Sequence, residues 1–214
     1  MYALDTTEAR KADNSGGSIK EMGKYIGTFT QAEDVTAKTG TKGIALTFES
    51  NGQKTRFTLY TMRADGEKIM GFQALSAIMA CLKLRSINPA PGQIKSRDYD
   101  TNTDVVKPGA VFPELCNKPI GMLLETEDYL NNKGEPRVRM VFAGAFQADT
   151  ELTASEILDK KTQPVQLARM VAYMRHRTMK NGAAKPSQGG ITLPAGHPAA
   201  TGSGFDDMND DIPF

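Results

Sequence analysis

From Lys54 to Arg63 the chain reads Lys-Thr-Arg-Phe-Thr-Leu-Tyr-Thr-Met-Arg. The two-residue repeat of a β-strand sorts these side chains onto two faces. Thr55, Phe57, Leu59 and Thr61 share one face; Lys54, Arg56, Thr58 and Tyr60 share the other. Arg137 and Arg139, alternating with Val138 and Met140, repeat the arrangement in a later segment. Cations beside a flat aromatic suit a polyanion with exposed bases. Lys and Arg neutralise phosphates and release counterions, and an unpaired base stacks on a ring for about 1–3 kcal/mol. Lys24, Tyr25, Phe29, Lys38 and Lys42 would extend such a groove. The same cations suit the solvated face of any antiparallel sheet equally well, and Tyr25 and Phe29 suit a core.

Other chemistries find less support. Asp98, Asp100, Asn102 and Asp104 alternate like the oxygen ligands of a calcium loop. The glycine and glutamate such a loop wants at its sixth and twelfth positions are replaced by Thr103 and Gly109, so a solvated acidic loop is expected. A metal-dependent nuclease built on Asp98, Asp100 and Asp104 is the alternative from another functional class. His176 falls on an expected basic helix with Arg169, Arg175, Arg177 and Lys180, and His197 in a glycine-rich linker; neither has a nucleophile or paired carboxylates nearby in sequence. Cys81 and Cys116 lack metal-ligand spacing and read as structural thiols of a reduced, intracellular protein. No catalytic residue, metal or cofactor is expected.

The last residues, Gly204-Phe205-Asp206-Asp207-Met208-Asn209-Asp210-Asp211-Ile212-Pro213-Phe214, combine an acidic run with an apolar triplet. Pro213 fixes its own φ and lowers the entropy lost on binding. A partner would need a pocket for Phe214 and basic groups for the acids. Residues 181–214 carry one base, Lys185, and four acids, a net charge of −3 against +4 for the rest of the chain. The chain thus pairs a mildly basic body with an acidic end.

The elements that must position these residues follow from periodicity. Residues 1–18, ending in Asn14-Ser15-Gly16-Gly17-Ser18, read as a flexible arm. A strand over Lys24–Thr30 precedes the basic loop Lys38–Gly43. Ile44, Leu46 and Phe48 then alternate with Ala45, Thr47 and Glu49, and Asn51-Gly52 turns the chain into the strand ending near Arg63. Phe72, Leu75, Ile78, Met79 and Leu82 predict a helix. Residues 86–118, with Pro89, Pro91, Pro108 and Pro113, read as an irregular insertion. A second hairpin joins Ile120–Thr126 to Arg137–Phe146. Thr153 and Glu156 match a capping box, and Pro164 opens a further helix carrying Leu167, Met170, Val171 and Met174. The Gly-, Ala- and Pro-rich residues from 181 on read as a disordered linker. Hydrophobic residues make up 39% of the 214, and no run approaches the ~18 apolar residues of a membrane span.

Three strands, a helix and two strands fit the five-stranded Greek-key barrel of the oligonucleotide-binding (OB) fold. The chain is therefore mainly β with helices: an OB-fold nucleic-acid-binding domain at 19–150, a helical extension at 151–180, and a linker with acidic tail at 181–214.

The tip Asp210-Asp211-Ile212-Pro213-Phe214 resembles the acidic tip of bacterial single-stranded DNA-binding proteins. In that family the tip docks genome-maintenance proteins and competes weakly with DNA for the basic groove. The resemblance implies that Asp206, Asp207, Asp210 and Asp211 supply the charge and Ile212, Pro213 and Phe214 the anchor. The body has no Trp, where the bacterial proteins stack bases mainly on Trp and Phe, and looks more like phage-encoded members of the class. The implied role is to protect single-stranded DNA during replication, recombination and repair in a bacterial host cytoplasm, with a homo-oligomer left open and no membrane partner. A recombination mediator or strand-annealing protein is the nearest alternative. Deleting Asp210–Phe214 is expected to lower pull-down of host replication and repair proteins by about an order of magnitude. Unchanged capture would remove the recruiting role.

Overall fold

The computed structural model describes residues 17–98, 103–131 and 133–179, together with Thr6. The rest of the N-terminal arm, Asp100 and Asn102 of the acidic run, Lys180, and the linker with its tip Asp206–Phe214 lie outside the described residues.

In the meander β2 (Gly23–Thr36), β3 (Lys42–Ser50) and β4 (Gln53–Met62), alternation locates β3 and β4, while β2 runs six residues past the expected Lys24–Thr30 and β3 begins inside the expected loop Lys38–Gly43. Asn51 and Gly52 take φ of 49° and 76°, as a two-residue hairpin turn of this hand requires. Along β4 the expected faces separate: Thr55, Phe57, Leu59 and Thr61 are buried, while Lys54, Arg56 and Thr58 are exposed. Helix α1 (Met70–Cys81) follows and buries Leu75, Ile78 and Cys81 against the strands. Strands β7 (Pro119–Leu130) and β8 (Pro136–Phe146) form the second hairpin. Phe29 and Phe48 meet edge to face at 5.8 Å in a core that also holds Leu46, Ile78, Leu115, Ile120, Met122 and Leu124.

One strand bends this sheet. β2 pairs with β7 over Gly23–Thr28 and with β3 over Thr28–Thr36, with a register irregularity between Phe29 and Gln31. At the changeover Gly27 lies so close to β3 that a Cβ would sit 1.9 Å from the Glu49 carbonyl oxygen. The result is a mainly β protein whose sheet curls without closing. Between a short parallel contact with β1 (Gly17–Ser18) and the return of residues 67–69, the outer edge of β4 has no strand partner among the described residues. Among those residues β8 pairs only with β7, so its other edge has no strand partner either.

Three segments differ from the sequence reading. Gly17 and Ser18 are docked on β4 rather than part of a loose arm, because buried Ile19 follows and donates its N–H to the Lys54 carbonyl at 2.9 Å. Residues 86–118 are not irregular: β5 (Ala90–Asp98) and β6 (Thr103–Val111) form an antiparallel hairpin attached to β2 through the pair Glu33–Val111. Its prolines argue against strands in sequence, since Pro normally interrupts a ladder. Pro91 and Pro108 occupy register positions of the same parity as Lys95, whose N–H and C=O point out of the hairpin to the Gln31 side chain, so neither proline removes a ladder bond.

The third difference is at the C-terminal side. α3 (Gln166–Ala172) stops before the basic cluster, and Arg175, His176 and Arg177 leave it as an extended strap along β7. Beyond Leu124, where β2 departs, β7 has unpaired backbone groups. The strap satisfies them through Arg177 N–H to Thr126 O (2.8 Å) and Asp128 N–H to Arg177 O (2.9 Å). Strand completion outweighs continued helix there. No helix among the described residues is long and apolar enough to cross a membrane.

The expected capping box forms at the start of α2 (Ala154–Leu158), and Glu156 does more than cap that helix. Its carboxylate accepts from Thr153 N–H and Oγ1 (both 2.9 Å) and from Val165 and Gln166 N–H (both 2.8 Å), tying the start of α2 to that of α3. Burial alone would raise its pKa, but these four hydrogen bonds outweigh it and hold the carboxyl at about 2, against an ordinary 4.5. A folded value below the unfolded one means the contribution is complete above about pH 4.5 and is lost as pH falls through 2. Glu156→Ala is expected to lower unfolding stability by about 2–4 kcal/mol near neutral pH. Acid titration of thermal melting should show wild type losing stability between about pH 4.5 and 2, and Glu156→Gln lacking that increment.

Candidate nucleic-acid interface

The facing edges of β4 and β8 frame a cleft of 360 Å³ lined by residues 56–60 and 139–142. Its apolar side chains are Val141 and Phe142 with the buried Phe57, Leu59 and Met140 behind them, the two phenyl rings 6.3 Å apart and tilted by 35°. Thr58 lines it too, and Arg56, Tyr60 and Arg139 complete it. Three residues singled out from two segments some eighty positions apart thus share one cleft. Arg56 and Arg139 keep 46% and 40% of their side-chain surface in solvent. Such a site can cover the faces of a base with apolar surface while offering guanidinium donors to a phosphate.

The other expected residues fall elsewhere. Lys54 lies two positions along β4 from Arg56 on the same face, and Arg137 two positions along β8 from Arg139; both are exposed and extend the cleft's flanks. Lys42 opens β3, exposed and without an ion-pair partner among the described residues. Lys24 and Tyr25 stand on the half of β2 that pairs with β7 and are not part of the cleft. Lys24 lies 5.7 Å from the Phe146 ring centroid. The Tyr25 hydroxyl donates to the Glu21 carbonyl at 2.7 Å, its ring packs on the core, and burial together with the Glu21 charge pushes its phenol pKa up. Phe29 is fully buried, so its ring belongs to the core and offers no face to a base.

Sequence reasoning missed the acids. Five of the seven expected cations are held by glutamates, Lys24 by Glu151, Lys54 by Glu49, Arg56 by Glu33, Arg137 by Glu135 and Arg139 by Glu127, while Lys38, like Lys42, is simply exposed. Glu49 and Glu127 could have been found from register, since each sits opposite its partner on the neighbouring strand. Tyr129 was missed too. It is half-buried opposite Arg137, and the Arg139 guanidinium lies 5.3 Å from its ring centroid. Glu33 is 5% exposed, although its position in β2 puts it on the outward face. The Gln31 side chain, one row along, takes the place of a strand neighbour for β5: Lys95 N–H donates to its Oε1 (2.8 Å) and its Nε2 donates to Lys95 O (3.0 Å) and to Glu33.

Other reactive groups are committed or dispersed. Among the described residues no group of three or more His, Cys, Asp or Glu is placed to hold a metal ion. His176 lies 2.8 Å from Thr126 Oγ1 and 3.0 Å from Asp128 Oδ2. Burial pushes the Cys81 thiol up to about 12 and raises that of Cys116. What the fold and the cleft define is a mainly β protein with a curled, open sheet and a cation-rimmed apolar seam. No family model and no curated protein matches the chain. Gln31→Ala should release β5 locally: amide exchange at Lys95, measured by NMR or mass spectrometry, is expected to accelerate by at least about tenfold. An unchanged rate would mean that Gln31 does not hold the hairpin.

Proposed function

We propose that this chain binds and protects single-stranded DNA, taking the strand across the seam between β4 and β8. The convergence of Arg56, Tyr60 and Arg139 around an apolar cleft carries this reading. Bases freed from a duplex have apolar faces to bury, and the partly exposed Tyr60, Val141 and Phe142 offer matching surface. Arg56 and Arg139 are placed for the backbone, and Lys54 and Arg137 for its continuation. The element order supports an OB-type arrangement in which β2, β3, β4, β7 and β8 are the five strands and α1 follows the third. The β5–β6 hairpin is then an insertion, α3 an appended cover on the outer face of β7–β8, and α2 a helix packed against α1 and the core. The preference for DNA, the recruitment of replication, recombination and repair proteins by the terminal residues Asp206–Phe214, and a bacteriophage origin rest on the tip's resemblance to bacterial single-stranded DNA-binding proteins.

Titration of a labelled single-stranded oligonucleotide, with matched duplex as competitor, tests this. Arg56→Gln with Arg139→Gln is expected to weaken single-strand binding by about 10–100-fold, and Tyr60→Ala by about tenfold. Lys24→Gln, outside the cleft, should change it by less than about threefold. Thermal melting identifies variants that have lost the fold. Full affinity in a folded double-Gln variant, or no preference for single strands in wild type, would overturn the proposal.

A further inference from the structure

We propose that Glu33 and Glu127 set the ligand preference of the cleft: by holding Arg56 and Arg139 in ion pairs they make it a poor site for phosphate alone, so that inserted bases carry binding and duplex is rejected. This rests on the single-strand reading above. Arg56 Nη2 lies 2.8 Å from Glu33 Oε2, and Arg139 places Nη2 and Nε 2.7 and 2.8 Å from Glu127 Oε2. These are the least exposed carboxylates among the five pairs. Glu33 and Glu127 keep 6% and 26% of their side-chain surface, whereas Glu49, Glu151 and Glu135 keep 34%, 42% and 52%. The Glu33 carboxylate is therefore built into the fold, that of Glu127 is half-buried, and the other three pairs are more open surface contacts.

Glu33 is also restrained. Gln31 donates to its second oxygen while bound to the Lys95 backbone, so the carboxylate is held on both sides. A phosphate that drew Arg56 away would leave a buried carboxylate facing only a neutral amide, which is costly. Arg56 can share its remaining donors with a phosphate but cannot exchange partners freely. Counterion release, the main source of sequence-independent affinity for duplex, is correspondingly small at both arginines. A duplex brings phosphates with its base faces already stacked. A single strand also brings bases that can lie against the partly exposed Tyr60, Val141 and Phe142.

The test uses the full chain as wild type, Glu33→Gln, Glu127→Gln and the double variant, titrated with labelled single-stranded and duplex oligonucleotides across a salt series. Glutamine keeps an acceptor for the arginine and removes the charge. The double variant is expected to steepen the salt dependence of single-strand binding by about 1.4 in log K per log salt, about 0.7 for each phosphate that a released arginine neutralises. Its duplex affinity should rise at least about tenfold. Glu127→Gln, where the carboxylate is not in the core, should give about half the slope change even if Glu33→Gln disturbs folding. Unchanged slope and duplex affinity in variants that still bind single strands would overturn this inference and leave the single-strand reading standing. A wild type that binds no single strand would overturn both.

Discussion

The molecule depends on one strand serving two ladders. β2 gives its first half to β7 and its second half to β3, and a single strand can do this only by bending where it changes partner. The bend draws β7–β8 around toward β4 and creates the interior that Phe29, Phe48 and α1 fill. Gly27 permits it, because any side chain there would strike the Glu49 backbone. Gly71 has a matching role at the other end of the cleft: α1 begins against β4 so closely that a Cβ would lie 1.9 Å from the Tyr60 carbonyl oxygen. Removing either close approach would shift the edge of β4 relative to that of β8.

The outer faces are covered unevenly, and that unevenness isolates the seam. α3 lays Leu167, Met170 and Met174 against Leu123 and Phe146 on the outside of β7–β8, and Glu156 fixes how α3 starts relative to α2. The β5–β6 hairpin is held beside buried Glu33 by its pairing with β2 and by Gln31. Between these covers the facing edges of β4 and β8 have no strand partner among the described residues. Free strand edges usually invite pairing with another chain. Here arginines flank them, which suits the proposed polyanionic ligand better than a further strand.

Electrostatics in the seam is a balance between opposite charges. Each arginine beside the cleft already has a glutamate, and among the five glutamates that hold expected cations the two most enclosed serve Arg56 and Arg139. Forming such pairs adds little to folding, although taking the arginine from buried Glu33 is costly. Their consequence lies in what the surface offers a ligand: oriented guanidinium donors with little net charge behind them.

Local patterns determined a good deal by themselves. Alternation placed β3 and β4 and assigned each side chain of β4 to its face; Asn51-Gly52 specified a turn; the 3.6-residue repeat found α1; Thr153 and Glu156 marked the start of α2. Each rests on interactions within a few residues, where spacing alone decides geometry. The β5–β6 hairpin was hidden because Pro is read as a ladder breaker, and only the register shows that Pro91 and Pro108 face outward. The strap of Arg175–Arg177 was hidden because the competing partner is a strand edge fifty residues away. The cleft shows the same division. Sequence named Arg56, Tyr60 and Arg139 as cations and an aromatic on outward faces, but bringing β4 beside β8 required β2 to change partner. Pairing Arg56 with Glu33 required a hairpin to bury the carboxylate. Such contacts join residues far apart in the chain, and no local spacing encodes them; only the packed sheet decides which charges meet.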